Sequence, residues 1–404
     1  MEDVQAFGRR LREVRCWRRL TLREAAGLAG LSFSFWGQVE RGEKAVTNRT
    51  TLEAMAGTLR VHPSELTGQP WTQRNARDAD AQAGLENIEI ALERYALGVD
   101  PEVSVRAWPQ LAEDLERLDK LVNWTSDYVT QSELTPTLLG DLHGAYVRMP
   151  DRRQEVLLGL MTAYSSAMWT TKRLGGHGLP SLAARAVQQL AETLGDPVWL
   201  GYAVWLRGFA TGRLDRAAQY RRSVAAAETL TSGLNCGDAL QACGMLHLSA
   251  AQAAGAQADH DTAATHLAEA SALAARMDTE VGTWAHLWFG PTNVGIWKTS
   301  LAVELGEPGQ ALQAAEAVHA ELLPSLGRQA VFWANLGRAM ATDKKTRDKS
   351  AHLLVQAEQL APQMIRHDVL VRETVADLLR QARRDAGGRE LRGLAWRMGV
   401  APVG

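Results

Sequence analysis

At 404 residues the chain is too long for one small domain, so two or more units are expected. A composition of 46% hydrophobic and 22% charged residues excludes a disordered or collagen-like chain, and three scattered cysteines, Cys16, Cys236 and Cys243, exclude a disulfide framework or zinc cluster and suit a reducing cytoplasm. The formal charge of -2 is uneven: residues 1–70 hold 11 Lys+Arg against 8 Asp+Glu, so a head of +3 is joined to a remainder of -5, which suits phosphate contact by the head alone.

The first residues, MEDVQAFGRRLREV, have no apolar run that would read as a secretory signal. Phe7, Leu11 and Val14 continue a helical apolar spacing begun at Val4. A second helix is predicted from Thr21, an N-cap with Glu24 three residues on as capping-box partner, to Gly30. Ser32 caps a third helix, predicted over 33–41 and ended by Gly42. A fourth is predicted over 50–60 through Leu52, Met55, Ala56 and Leu59, and a short fifth follows with Pro63 at its first position. Five short helices with a tight turn between the second and third form a helix-turn-helix bundle.

The segment LTLREAAGLAGLSFSFWGQVERGE closely resembles the Xre-type, phage-repressor-like DNA-binding domain, and the resemblance covers residues 4–68. It implies an internal ion pair between Arg15 and Glu40 and recognition positions at Phe33, Ser34 and Gln38, where Gln38 would pair with adenine N6 and N7 and Phe33 would touch a thymine methyl. Arg18, Arg19, Arg23, Arg41, Lys44 and Arg49 flank the third helix, where phosphates would lie. Leu22 stands where the family commonly has a phosphate-reaching Gln, and Gly37 weakens the third helix by about 1 kcal/mol relative to Ala. Trp36 is expected inside; Phe35 is left open between core and surface.

Residues 69–83 (QPWTQRNARDADAQA) are polar and weakly periodic and read as a linker. Everything from 84 to 404 reads as helical, so the fold class is all-α: a five-helix head (1–68) followed by a tetratricopeptide-like α-solenoid. Helices are predicted over 84–97, 105–129, 134–147 and 153–174. From residue 179 a helix-turn-helix unit recurs. Aligning Ala217, Ala263, Ala311 and Ala351 gives spacings of 46, 48 and 40 residues, longer than the ~34 of a tetratricopeptide repeat. WANLG at 333–337 resembles that repeat's W-x-x-L-G signature. No apolar run reaches the ~20 residues of a membrane-spanning helix.

Phosphate-cradling glycine loops, HExxH and GxSxG are absent, so no enzyme, metal or cofactor is expected. The arrangement resembles bacterial regulators with an Xre-type head and a tetratricopeptide-like body, among which peptide-pheromone sensors bind short peptides on the concave face. That resemblance implies a DNA-binding regulator controlled by a peptide or small-molecule effector, and a dimer on an inverted repeat of double-stranded DNA is expected because one small head contacts too few phosphates for tight binding. Trp284, Trp288, Trp297, Asn293, Asn335, Arg338 and His247 are the expected effector residues: carboxamides for a peptide backbone, a guanidinium for a carboxylate, and rings for area. The alternative is an interaction scaffold, or a constitutive repressor, whose body docks a protein.

Overall fold

The computed structural model describes residues 2–61, 63–67, 76–211, 215–382 and 389–400. Among them there are 21 α-helices and no strand. The head comprises α1 (Glu2–Trp17), α2 (Leu22–Leu28), α3 (Phe33–Glu40), α4 (Arg49–Leu59) and α5 (Pro63–Thr67). Their ends follow local chemistry. Thr21 and Glu24 form the expected reciprocal capping box of α2, and Ser32 Oγ accepts the Phe35 N–H at the start of α3. Gly30 and Gly42 adopt the left-handed conformation that terminates each helix. Asn48 caps α4 one residue earlier than expected.

After the head come α6 (Ala76–Arg94), α7 (Trp108–Lys120), α8 (Tyr128–Arg148), α9 (Arg153–Leu174), α10 (Leu179–Leu194), α11 (Pro197–Thr211), α12 (Arg216–Leu230), α13 (Gly237–Gly255) and α14 (His260–Ala274). The remaining helices are α15 (Pro291–Glu304), α16 (Pro308–Ala315), α17 (Leu326–Met340), α18 (Arg347–Leu360), α19 (Pro362–Arg366), α20 (Val369–Ala382) and α21 (Arg389–Met398). Part of the expected linker, residues 69–75, lies outside the described residues, and α6 already begins at Ala76. The single helix expected over 105–129 is divided. It passes through a π-helical turn, Leu121–Thr125, to Ser126 in the left-handed region, and Asp127 then caps α8.

Packing groups the chain into two compact units, one of residues 1–70, 295–320 and 328–404, the other of residues 71–294 and 321–327. In the second unit, from α8 to α14, each helix packs on its successor, and α11 also meets α13, giving a solenoid-like body. Close crossings rest on small residues: a Cβ on Gly244 of α13 would lie 2.0 Å from Phe289 Cζ. α13 is buried on nearly every face, in keeping with its run of alanines. In the first unit the core of the head, built on Trp36, Phe7, Leu11, Met55, Leu59 and Leu66, also takes in Leu370 of α20.

Candidate functional site

The head presents α3. Trp36 is fully buried and its indole N–H donates to Glu40 Oε1 at 2.7 Å. The same carboxylate accepts Arg15 Nε at 2.5 Å and Nη2 at 2.9 Å, so the pair implied by the resemblance forms and ties α1 to the end of α3. α1 and α3 approach closely at Gly8, where a Cβ would lie 2.4 Å from Val39 O.

With Trp36 turned inward, Phe33 is 56% exposed, Ser34 is exposed and Gln38 is half-buried. Neither the Ser34 hydroxyl nor the Gln38 carboxamide bonds to another group among the described residues. The Arg23 guanidinium stands 6.0 Å from the Phe33 ring and the Lys44 ammonium 4.8 Å from the half-buried Phe35 ring. Arg41 is exposed and forks onto Glu43 at 2.7 and 2.8 Å, a contact that raises the pKa of the arginine. Arg19 is exposed in a left-handed turn. Arg18 donates to Leu59 O and Arg60 O, capping the carbonyl end of α4.

Arg49 is the first residue of α4 and exposed, but its backbone N–H donates to Glu304 Oε2 at 2.5 Å. Thr50 Oγ1 donates to Glu304 O, and Arg338 Nη2 donates to Thr47 O at 2.5 Å. A carboxylate of α15 thus sits on the positive end of α4, an end that attracts anions. Glu304 also pairs with Arg338 at 3.0 Å.

The residues expected to read an effector divide by location. Asn335 donates to Ser300 Oγ at 2.8 Å and accepts from Arg338 at 2.7 Å; both are buried within their unit. Trp297 is buried beneath Arg328. His247 is half-buried and meets His266 at 2.9 Å, which in turn meets the Tyr220 hydroxyl at 3.2 Å. Burial holds both histidines below their ordinary pKa. Asn293 is fully buried and donates to Leu287 O at 3.1 Å, so it shapes the preceding loop. Trp284, Trp288 and Trp297 do not share one helix, because Pro291 opens α15 and Ala285, His286 and Trp288 take positive φ.

That loop builds an aromatic cluster. Trp284 lies 5.0 Å from Trp199 and 6.4 Å from Tyr202 of α11. Along the same helix Tyr202, Trp205 and Phe209 continue at 5.7 and 5.1 Å, and Trp169 of α9 meets Phe209 at 5.2 Å. On the other side His286 lies 4.6 Å from Trp124 of the π-turn, which also meets the buried Trp288 at 5.1 Å. Apart from Trp288 these rings are half-buried. Of these rings, Trp284, His286 and Trp288 lie in the stretch expected from sequence to line the effector groove. A stripe on α11 was available: positions 199, 202, 205 and 209 fall within an arc of about 120° at 100° per residue.

A family profile described as a helix-turn-helix domain matches residues 6–67. The N-terminal segment is therefore a helix-turn-helix domain. No curated protein matches the chain. Among solved structures, the apo form of the competence regulator ComR from Streptococcus vestibularis is 12% identical, with 86% of this chain and 98% of that chain covered and a TM-score of 0.29. The apo form of ComR from S. thermophilus is 12% identical, with 94% and 100% covered and a TM-score of 0.26. At these scores the likeness carries no argument about fold or function.

Proposed function

We propose that this chain is a sequence-specific DNA-binding regulator whose helical body binds an effector. The observation that carries the reading is α3 of the helix-turn-helix domain, with the exposed Phe33 ring and the unbonded polar groups of Ser34 and Gln38 on one side and Arg23, Arg41 and Lys44 around it. Phe33, Ser34 and Gln38 suit base edges, and the flanking cations suit phosphates. Arg19 remains a candidate phosphate contact, whereas Arg18 and the N–H of Arg49 already have partners within the unit. The reading extends to a homodimer on an inverted repeat, because one small head reaches few phosphates.

For the effector, Trp284 is the preferred contact of those expected from sequence, being half-buried beside other rings; Asn335 and Arg338 are held by neighbours in their own unit. The test is selection of bound fragments from genomic DNA by the purified chain, followed by footprinting and sedimentation of the complex. A protected inverted repeat bound by two chains is expected. Failure to enrich any sequence above bulk DNA refutes the regulator, and one chain per site with full affinity refutes the dimer.

A further inference from the structure

Two irregular pieces of backbone meet at one place in the body. The first is the loop after α14, where Ala285, His286 and Trp288 all adopt left-handed φ of 46°, 50° and 52°. Each such non-glycine residue is strained and persists only where the surroundings over-determine it. They do here. Gly282 N–H donates to Phe289 O at 2.7 Å, Trp284 N–H to Gln241 Oε1 at 3.1 Å, and Asn293 to Leu287 O. The second is the π-turn after α7, a form that often marks functional positions in helices. One delivers Trp284 and His286, the other Trp124.

Between them stands a carboxylate. Asp119, 27% exposed, lies 2.8 Å from His286 Nε2 and accepts Asn123 Nδ2 at 2.9 Å. Among the described residues no Lys or Arg pairs with it. Its field reaches Tyr202, whose phenol is pushed up to about 12 by burial and by that charge, against a hydrogen bond with Ser165. The far end of the same row of rings already holds a cation: the Lys172 ammonium stands 5.5 Å from the Trp169 ring and 5.2 Å from the Phe209 ring.

We propose that Trp124, Trp199, Tyr202, Trp284 and His286, with Asp119, form a binding site for an organic cation, a ligand bearing a substituted ammonium group. The π-faces and the carboxylate act on the same charge: ring faces attract a cation within about 6 Å of their centroids, and a carboxylate in a half-buried setting attracts it more strongly than in water. A neutral ligand of the same shape would use only the rings. The inference rests on the reading of the body as effector-binding and names the chemical class of the effector.

The experiment uses the full chain and choline as probe, followed by tryptophan fluorescence and calorimetry, with 3,3-dimethylbutan-1-ol as the uncharged isostere. Choline is expected to bind saturably, and the isostere about tenfold more weakly or less. Asp119→Asn and Trp284→Ala should each weaken choline about tenfold, while Trp396→Phe, at a 78% exposed ring on α21, should not. If circular dichroism shows that Trp284→Ala fails to fold, Trp284→Phe and Asp119→Asn decide the matter. Equal binding of choline and the isostere, unchanged binding by Asp119→Asn, or no saturation by about 50 mM, where binding is worth under ~2 kcal/mol, overturns the site. Choline binding with no change in DNA affinity upholds the site and refutes the sensor. A cell extract that alters DNA affinity while choline does not bind upholds the sensor and refutes the site.

Discussion

Glu304→Gln keeps the size of the side chain and an acceptor for the Arg49 N–H, and removes only the charge. Two interactions lose by it. The first is the carboxylate at the positive end of α4, worth about 0.3–1 kcal/mol when exposed and up to ~2 kcal/mol when partly buried; Glu304 is 22% exposed, so about 1–2 kcal/mol applies. The second is the pair with Arg338, whose side chain is only 5% exposed. Stranding a buried charge costs about 3–5 kcal/mol at the extreme, but Arg338 keeps Thr47 O and Asn335 Oδ1. A total of about 2–4 kcal/mol is expected from the fixed arrangement. If DNA and Glu304 compete for the same end of α4, a docked state weakened by even 1–2 kcal/mol raises DNA affinity by about 5–30-fold. The assay is fluorescence anisotropy on a selected fragment, beside thermal melting of the free protein. A lowered melting temperature with unchanged or weaker DNA binding would falsify the competition and leave Glu304 as a purely structural contact.

Gln38→Ala should relax preference at one base pair per half-site by about 1–3 kcal/mol in competition across randomised sites, while Lys44→Ala should weaken all sequences alike and reduce the salt slope. An unchanged base preference removes Gln38 from readout. Gly8→Ala would press a Cβ against Val39 O and Glu40 O, backbone atoms that cannot rotate away, so the head should lose about 1–3 kcal/mol on calorimetry; full stability would show that α1 and α3 can part without cost. His143, buried between Tyr95 and Tyr164, is held by burial at about 4 against an ordinary 6.5. The unfolded chain therefore binds the extra proton first, and stability falls by about 3 kcal/mol as pH drops from 6.5 to 4. His143→Gln should flatten that part of the pH–stability curve, leaving the same-signed contributions of His247 and His266; an identical curve refutes a neutral buried imidazole.

The head was legible because its boundaries are set by neighbours in sequence. Thr21 and Glu24, Ser32, Gly30 and Gly42 act within four residues, and each stands where the expected helix begins or ends. In the body the same reasoning gave α9 at 153–174 but joined what Ser126 and Asp127 separate, because a left-handed serine followed by an aspartate cap lies inside an apolar periodicity that runs on past it. The entry of Leu370 into the core of the head was not legible, since nothing near residue 370 distinguishes a leucine bound for its own repeat from one bound for a helix-turn-helix core.

The effector residues show where single-sequence reasoning about polar groups stops. A helix-interior Asn has poor propensity and its carboxamide must find partners, so Asn293 and Asn335 stood out. The partners are Leu287 O in one case and Ser300 and Arg338 in the other. Sequence says that such a bond exists and does not say whether the partner is foreign or the chain itself. With the rings the difficulty is reversed. Trp124, Trp199 and Trp205 are not singled out by the sequence, and what distinguishes them is a loop held left-handed at Ala285, His286 and Trp288, none of them glycine. That conformation is imposed by Gln241, Asn293 and the Gly282–Phe289 contact. Asn293 therefore bears on the proposed site through the backbone it fixes: its replacement by Ala would release Leu287 O and let Trp284 and His286 leave the rings they face, without removing any group that a ligand touches.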